Sequence, residues 1–176
     1  ALGNVYNNIS NIQSKVGDLD GAFESLQMAM PLLEKYSSKE KYANSVSNVG
    51  RIFSQMNDYA QAERNYKKAL SLFDPAAHPK QALEINQLLG VVYNKLGIEK
   101  NALEHFKMAE EIGKRHNMTG KLIIIYFELV DHHLLLNQVT EADSYITKAQ
   151  QIISETISSQ IVDLLPYYQA RVAAAK

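Results

Sequence analysis

The chain repeats itself every 40 residues. Ala22 is followed at that interval by Ala62, Ala102 and Ala142, and seven residues beyond each stands another alanine: Ala29, Ala69, Ala109 and Ala149. Large residues keep the same register at Leu26, Tyr66, Phe106 and Ile146, and again at Ile9, Val49, Leu89 and Leu129. A further column, Gly17, Asn57, Gly97 and Asn137, holds residue types that tolerate positive φ. Self-similarity at a fixed interval of this size describes a stack of like supersecondary units, each burying its apolar face on its neighbours.

Within a unit the apolar spacing is helical. Val46, Val49, Gly50 and Phe53 make one stripe at i, i+3, i+4, i+7, and Tyr59, Ala62, Tyr66, Ala69 and Leu70 make a second after the turn at Asn57 and Asp58. Each unit is therefore a helix, a tight turn and an antiparallel helix. Gly50 stands inside "NVGRIF", where glycine costs about 1 kcal/mol relative to alanine. Its small size lets the two helices of a pair interlock, and the added contact offsets that cost. Ser10, Gly90 and Val130 share its column.

These residues resemble the tetratricopeptide repeat family, whose signature runs leucine-glycine, tyrosine, then alanine, aromatic and alanine. "LLGVVYNKLGIEKNALEHFKMA", residues 88–109, carries that pattern, and residues 47–70 carry it again. The family unit is 34 residues long, so this chain is similar to the longer-helix variety of kinesin light chains, Pins-type polarity adaptors and bacterial sensors and regulators. Gln13 and His133 depart from it at the aromatic position held by Phe53 and Tyr93, and Val130 replaces a glycine. The resemblance implies an all-α, right-handed superhelical solenoid of antiparallel helix pairs, about nine helices in one domain over 1–176. Units are expected at 3–40, 43–80, 83–120 and 123–158, with a capping or truncated helix over 159–176; Ile161 to Ala175 reads as one more first helix. Pro75 and Pro79 bracket a linker, while Pro31 and Pro166 are expected to kink or end helices.

Eighteen basic residues against nineteen acidic ones leave a net charge of −1, without the basic surface a nucleic-acid partner requires. The chain has no cysteine, which excludes disulfides, thiolate metal sites and a cysteine nucleophile. The longest apolar run, Leu122 to Phe127, falls far short of the ~20 residues of a membrane span, and no signal-peptide pattern opens the sequence. Membrane insertion is not expected. The cytoplasm is the expected compartment, with the periplasm as the alternative if the chain, which opens without methionine inside a helical pattern, is an excerpt of a membrane-anchored sensor.

The resemblance implies that first helices line a concave groove. Their face opposite the apolar stripe carries Asn4, Asn7, Asn8, Asn11 and Lys15; Asn44, Asn48, Arg51 and Gln55; Gln87, Leu88, Val91 and Lys95; and Phe127, Glu128, Asp131 and Leu135. Asparagine is a poor interior helix residue, so a row of them on one face calls for a reason beyond solubility. Each offers a donor and an acceptor, and a ladder of them can pair with the backbone of an extended peptide. Asn4, Asn7, Asn8, Asn11, Asn44, Asn48, Arg51 and Gln87 are the expected polar contacts, with Glu128 and Asp131 beyond them and Phe127 taking a hydrophobic side chain. A wholly buried helix around "KLIIIYFELV" is the alternative for that last group.

Glu128, Asp131, His132 and His133 form the cluster with metal or acid-base potential. Glu128 and His132 are spaced i, i+4, but no HExxH accompanies them, and His133 falls in a core column. No GxxxxGK[ST], GxGxxG or GxSxG occurs, so no cofactor is expected. The reading is a non-enzymatic module that binds a protein or peptide segment. A self-associating, homodimeric segment of a larger bacterial regulator or histidine kinase is the alternative.

Overall fold

The computed structural model describes residues 2–155 and 164–176. Among them the elements are α1 (Leu2–Lys15), α2 (Leu19–Tyr36), α3 (Lys39–Gln55), α4 (Tyr59–Leu72), α5 (Pro79–Lys95), α6 (Glu99–Arg115), α7 (Thr119–Leu135), α8 (Val139–Glu155) and α9 (Leu165–Ala175). The first helices α3, α5 and α7 begin at 39, 79 and 119, keeping the 40-residue interval and starting about one turn before the expected unit boundaries. The chain divides into two compact units, 1–92 and 93–176, with α5 running through the boundary.

The turn inside each pair is the same object four times. Gly17, Asn57, Gly97 and Asn137 all have positive φ, at 86°, 62°, 70° and 54°. After each, a backbone N–H reaches five residues back to a carbonyl at 2.9 Å: Asp18 to Gln13, Asp58 to Phe53, Ile98 to Tyr93 and Gln138 to His133. This left-handed closure satisfies carbonyls that the ending helix leaves open. Asp18 and Asp58 then cap α2 and α4, accepting from the N–H of Gly21 at 3.0 Å and Gln61 at 3.1 Å.

In the first unit α1 packs on α2, α2 on α3, and α3 on α4; in the second α6 packs on α7, α7 on α8, and α9 on both α8 and α7. The alanine columns are the floor of this packing: Ala22, Ala29, Ala62, Ala69, Ala102, Ala109, Ala142 and Ala149 are all fully buried. Pro31 does not break its helix; α2 runs through it to Tyr36 with the proline on an exposed face, where water can meet the carbonyl whose intrahelical bond is lost. Pro79 and Pro166 sit in the first turns of α5 and α9, where a missing N–H costs nothing.

α9 stands in the register of a further first helix. Val172 is buried in the column of Ile52, Val92 and His132, and Tyr168 meets Phe127 of α7 as Asn48 of α3 meets Asn7 of α1. Residues 156–163, the remainder of the expected terminal helix and the end of the fourth unit, lie outside the described residues.

Candidate functional site

In the first unit the asparagine face of α1 and α3 is drawn together by its own hydrogen bonds. The Asn7 amide oxygen accepts from Ser45 Oγ at 3.0 Å and from Asn48 Nδ2 at 3.2 Å. Exchanging oxygen and nitrogen on both amides gives an equivalent network. Either way one amide keeps an outward N–H and the other an outward carbonyl. Asn7 and Asn48 are half-buried and held from both sides, while Asn4, Asn8, Asn11, Asn44 and Arg51 are exposed around them.

A cleft of about 320 Å³ opens here, lined by Asn7, Asn11, Asn44, Asn48 and Arg51 and, from the far side, by Glu84 and Leu88 of α5. A neighbouring hollow of about 330 Å³ is lined by Asn4, Asn8 and Lys41 and shares Asn7 and Asn44 with it. Seven of the expected polar contacts are thus gathered in two adjoining depressions; Gln87, half-buried on α5, is not among the lining residues. Glu84, Gln81 and Ser47 line the cleft and were not expected. Glu84 was legible all the same, because it stands 40 residues after Asn44 in the column of Asn4.

The Arg51 guanidinium makes no ion pair among the described residues, and its charge reaches Tyr66 beneath it. Burial nevertheless dominates that phenol, whose pKa is pushed up to about 12, and its hydroxyl has no hydrogen-bond partner among the described residues. The cleft therefore combines amide groups with one cation and one carboxylate, a surface suited to polar main chain.

Phe127, Glu128 and Asp131 belong to the second unit, and there the structure corrects the expectation. Phe127 is buried, its ring stacked on Tyr168 of α9 with centroids 4.3 Å apart and planes 5° apart. Asp131 accepts from the Tyr168 hydroxyl at 3.1 Å and from the Arg171 guanidinium. Burial, reinforced by Asp131, holds the Tyr168 phenol far above its ordinary value. Arg171 lies over the faces of Tyr167 and Tyr168 at 5.5 and 5.6 Å. The apolar surface expected for a ligand's side chain is instead the seat of α9, whose Tyr168 and Arg171 meet Phe127 and Asp131. Glu128 is half-buried on the same helix.

The two histidines are core residues. His133 gives Nδ1 to Gln138 Oε1 at 2.7 Å and stacks on Tyr145 with centroids 5.5 Å apart. His132 gives Nδ1 to Asn94 Oδ1 at 2.6 Å and lies against Phe106 at 6.1 Å. Burial, then the charge of His133, lowers the His132 pKa from its ordinary value. Among the described residues no group of three His, Cys, Asp or Glu is placed to hold a metal ion, and no helix is long and apolar enough to cross a membrane.

Residues 2–74 match a family model described as tetratricopeptide repeat. Among curated proteins the chain is similar to outer dynein arm-docking complex subunit 4, at 23% identity over 154 residues in Bos taurus and 24% over 71 residues in Homo sapiens. These alignments cover 88% and 40% of this chain, which spans only 16% and 11% of the relatives' lengths. Among solved structures it superposes on aspartyl phosphate phosphatase F from Bacillus subtilis with a TM-score of 0.87 at 15% identity, over 96% of this chain and 44% of that one. It also superposes on the nearly identical TPR-like repeats of a Podosopora anserina protein described as a kinesin light chain, with a TM-score of 0.79 at 17% identity, over 98% of this chain and 85% of that one. At such identities the likeness shows the fold alone.

Proposed function

Taking residues 2–74 as tetratricopeptide repeats, and the other described helices as the same helix-pair fold continued, we propose that this chain binds an extended segment of another protein along the asparagine face of its first unit. The observation that carries the reading is the Asn7, Ser45 and Asn48 network, which holds two amides in place and leaves one outward donor and one outward acceptor beside an open cleft. A donor and acceptor at fixed separation match the N–H and C=O of a peptide main chain, which every sequence supplies, and preorganisation spares part of the ordering entropy. Arg51 then selects for a carboxylate or carbonyl near that contact. The names of the relatives, a docking-complex subunit and a kinesin light chain, accord with a protein partner. Binding rather than catalysis is the role the amide face suits, although one neighbour in fold is named a phosphatase.

The test is selection of peptides from a displayed random library on the intact chain, followed by calorimetry against Asn48→Ala and Arg51→Ala. Affinity should fall by about 1 to 3 kcal/mol for each; unfolding should be unchanged within about 0.5 kcal/mol for Arg51→Ala, while Asn48→Ala, which also loses its bond to Asn7, should cost up to about 1 kcal/mol. Selected peptides that bind both variants as tightly as the parent place the site elsewhere.

A further inference from the structure

Between Lys41 and Ile52 every residue of α3 is buried except Lys41, Asn44, Asn48 and Arg51. Their spacing of three, four and three residues places them on one stripe of the helix. Ten residues at a rise of about 1.5 Å set its two ends about 15 Å apart. The order along the stripe is cation, amide, amide, cation. Lys41 lines the second hollow, Arg51 the cleft, and Asn44 both. α1 lies on one side of this stripe and α5 on the other, and all three helices line the cleft, so the chain itself bounds the surface. Among the described residues neither cation has an ion pair. Glu40, the acid nearest Lys41 in sequence, stands 3.7 Å from His78 Nε2 and lines neither depression.

Resting on the function proposed above, we infer that the bound segment carries two carboxylate side chains four residues apart, one meeting Lys41 and the other Arg51. An extended chain turns alternate side chains to one face and rises about 3.3 Å per residue, so residues i and i+4 point the same way and span about 13 Å. Two long cationic side chains rooted about 15 Å apart can close on that span. Residue i+5 reaches further but points away from the helix. Asn44 and Asn48 meet the main chain between the two charges. Glu84 sharpens the spacing. It stands in the column of Asn44 on the far wall of the cleft, between the levels of Lys41 and Arg51. A carboxylate at i+2 therefore meets a like charge, where those at i and i+4 meet cations. The partner is an acidic segment read by charge spacing, and its binding weakens with salt because both cations are exposed.

A displayed random peptide library selected on the intact chain reads the result. The selected peptides should share aspartate or glutamate at i and i+4. A selected peptide resynthesised with glutamine at either position should bind about 10-fold more weakly, and the unaltered peptide should lose about as much on Lys41→Ala or Arg51→Ala. Charge reversal gives the direction of the bound chain: Lys41→Glu should accept lysine at one of the two acidic positions, and Arg51→Glu at the other. Both residues are exposed, so these variants should keep the parent's circular dichroism spectrum. A third glutamate at i+2 should weaken binding, and less so to Glu84→Gln. Peptides that lose affinity on Asn48→Ala yet carry no acid pair, or carry one at another spacing, overturn this inference and leave the binding face where it is. Peptides indifferent to Asn48→Ala, Lys41→Ala and Arg51→Ala, or a library that yields no binder, overturn both.

Discussion

The ring of Tyr66 crosses Gly50 so closely that a Cβ on residue 50 would stand 2.8 Å from both Cδ1 and Cε1 of the tyrosine. The Ala62 carbonyl oxygen is 3.3 Å from the same point, so the helix has little room to withdraw. A glycine that propensity disfavours is therefore required by the residue opposite it.

Gly50→Ala gains up to about 1 kcal/mol of helix propensity and loses more to overpacking, a net destabilisation of about 1 to 2 kcal/mol by urea denaturation. Replacing Tyr66 by leucine in the same chain should recover part of that loss, seen as a favourable coupling in a double-mutant cycle. A Gly50→Ala protein as stable as the parent refutes the packing account.

The Tyr66 hydroxyl is buried without a hydrogen-bond partner among the described residues. Tyr66→Phe removes an unmet polar group and keeps the ring, so stability should be unchanged or rise by up to about 1 kcal/mol. A loss above about 1 kcal/mol would show that the hydroxyl is satisfied in solution.

α9 is held on α7 by the Phe127 and Tyr168 stack and by Asp131 with Arg171. Tyr168→Ala should cost about 1 to 2 kcal/mol and speed hydrogen exchange in α9 and along the α7 face it covers. Arg171→Ala should cost less, under about 1 kcal/mol, because both partners of the ion pair keep about a third of their side chains in water. Equal exchange in α7 for parent and Tyr168→Ala would mean that α9 does not protect it.

His132 is buried neutral, with its folded pKa below the ordinary 6.5. Between those two values the unfolded chain binds a proton that the folded chain refuses, so stability is full above pH 6.5 and declines as pH falls through that window. The slope of unfolding free energy against pH below 6.5 should flatten in His132→Gln. A variant with the parent's slope would assign the acid sensitivity to other groups.

Most of the architecture was legible because it is local and repeated. Positive φ at Asn57 and Asn137 follows from residue type and column, as do the buried alanines, since a helix presents residues three and four apart on one face whatever surrounds it. The clustering of Asn7, Asn44 and Asn48 was readable for the same reason, and Glu84 could have been read from its column.

The rest depended on which element lies beside which. Phe127 faces away from its own helix pair, and nothing within α7 tells whether water or another helix meets it; Tyr168, 41 residues later, decides. Asp131 changed in the same way from a groove carboxylate to the acceptor of Tyr168 and Arg171. His132 shares a helical face with Glu128 in the sequence, yet its nitrogen is committed to Asn94, 38 residues earlier. Periodicity specifies the face of a helix on which a side chain stands, because backbone geometry alone sets that angle. Whether the face is open, covered or hydrogen-bonded is a property of its neighbours, and these are brought into place only when the helix pairs stack.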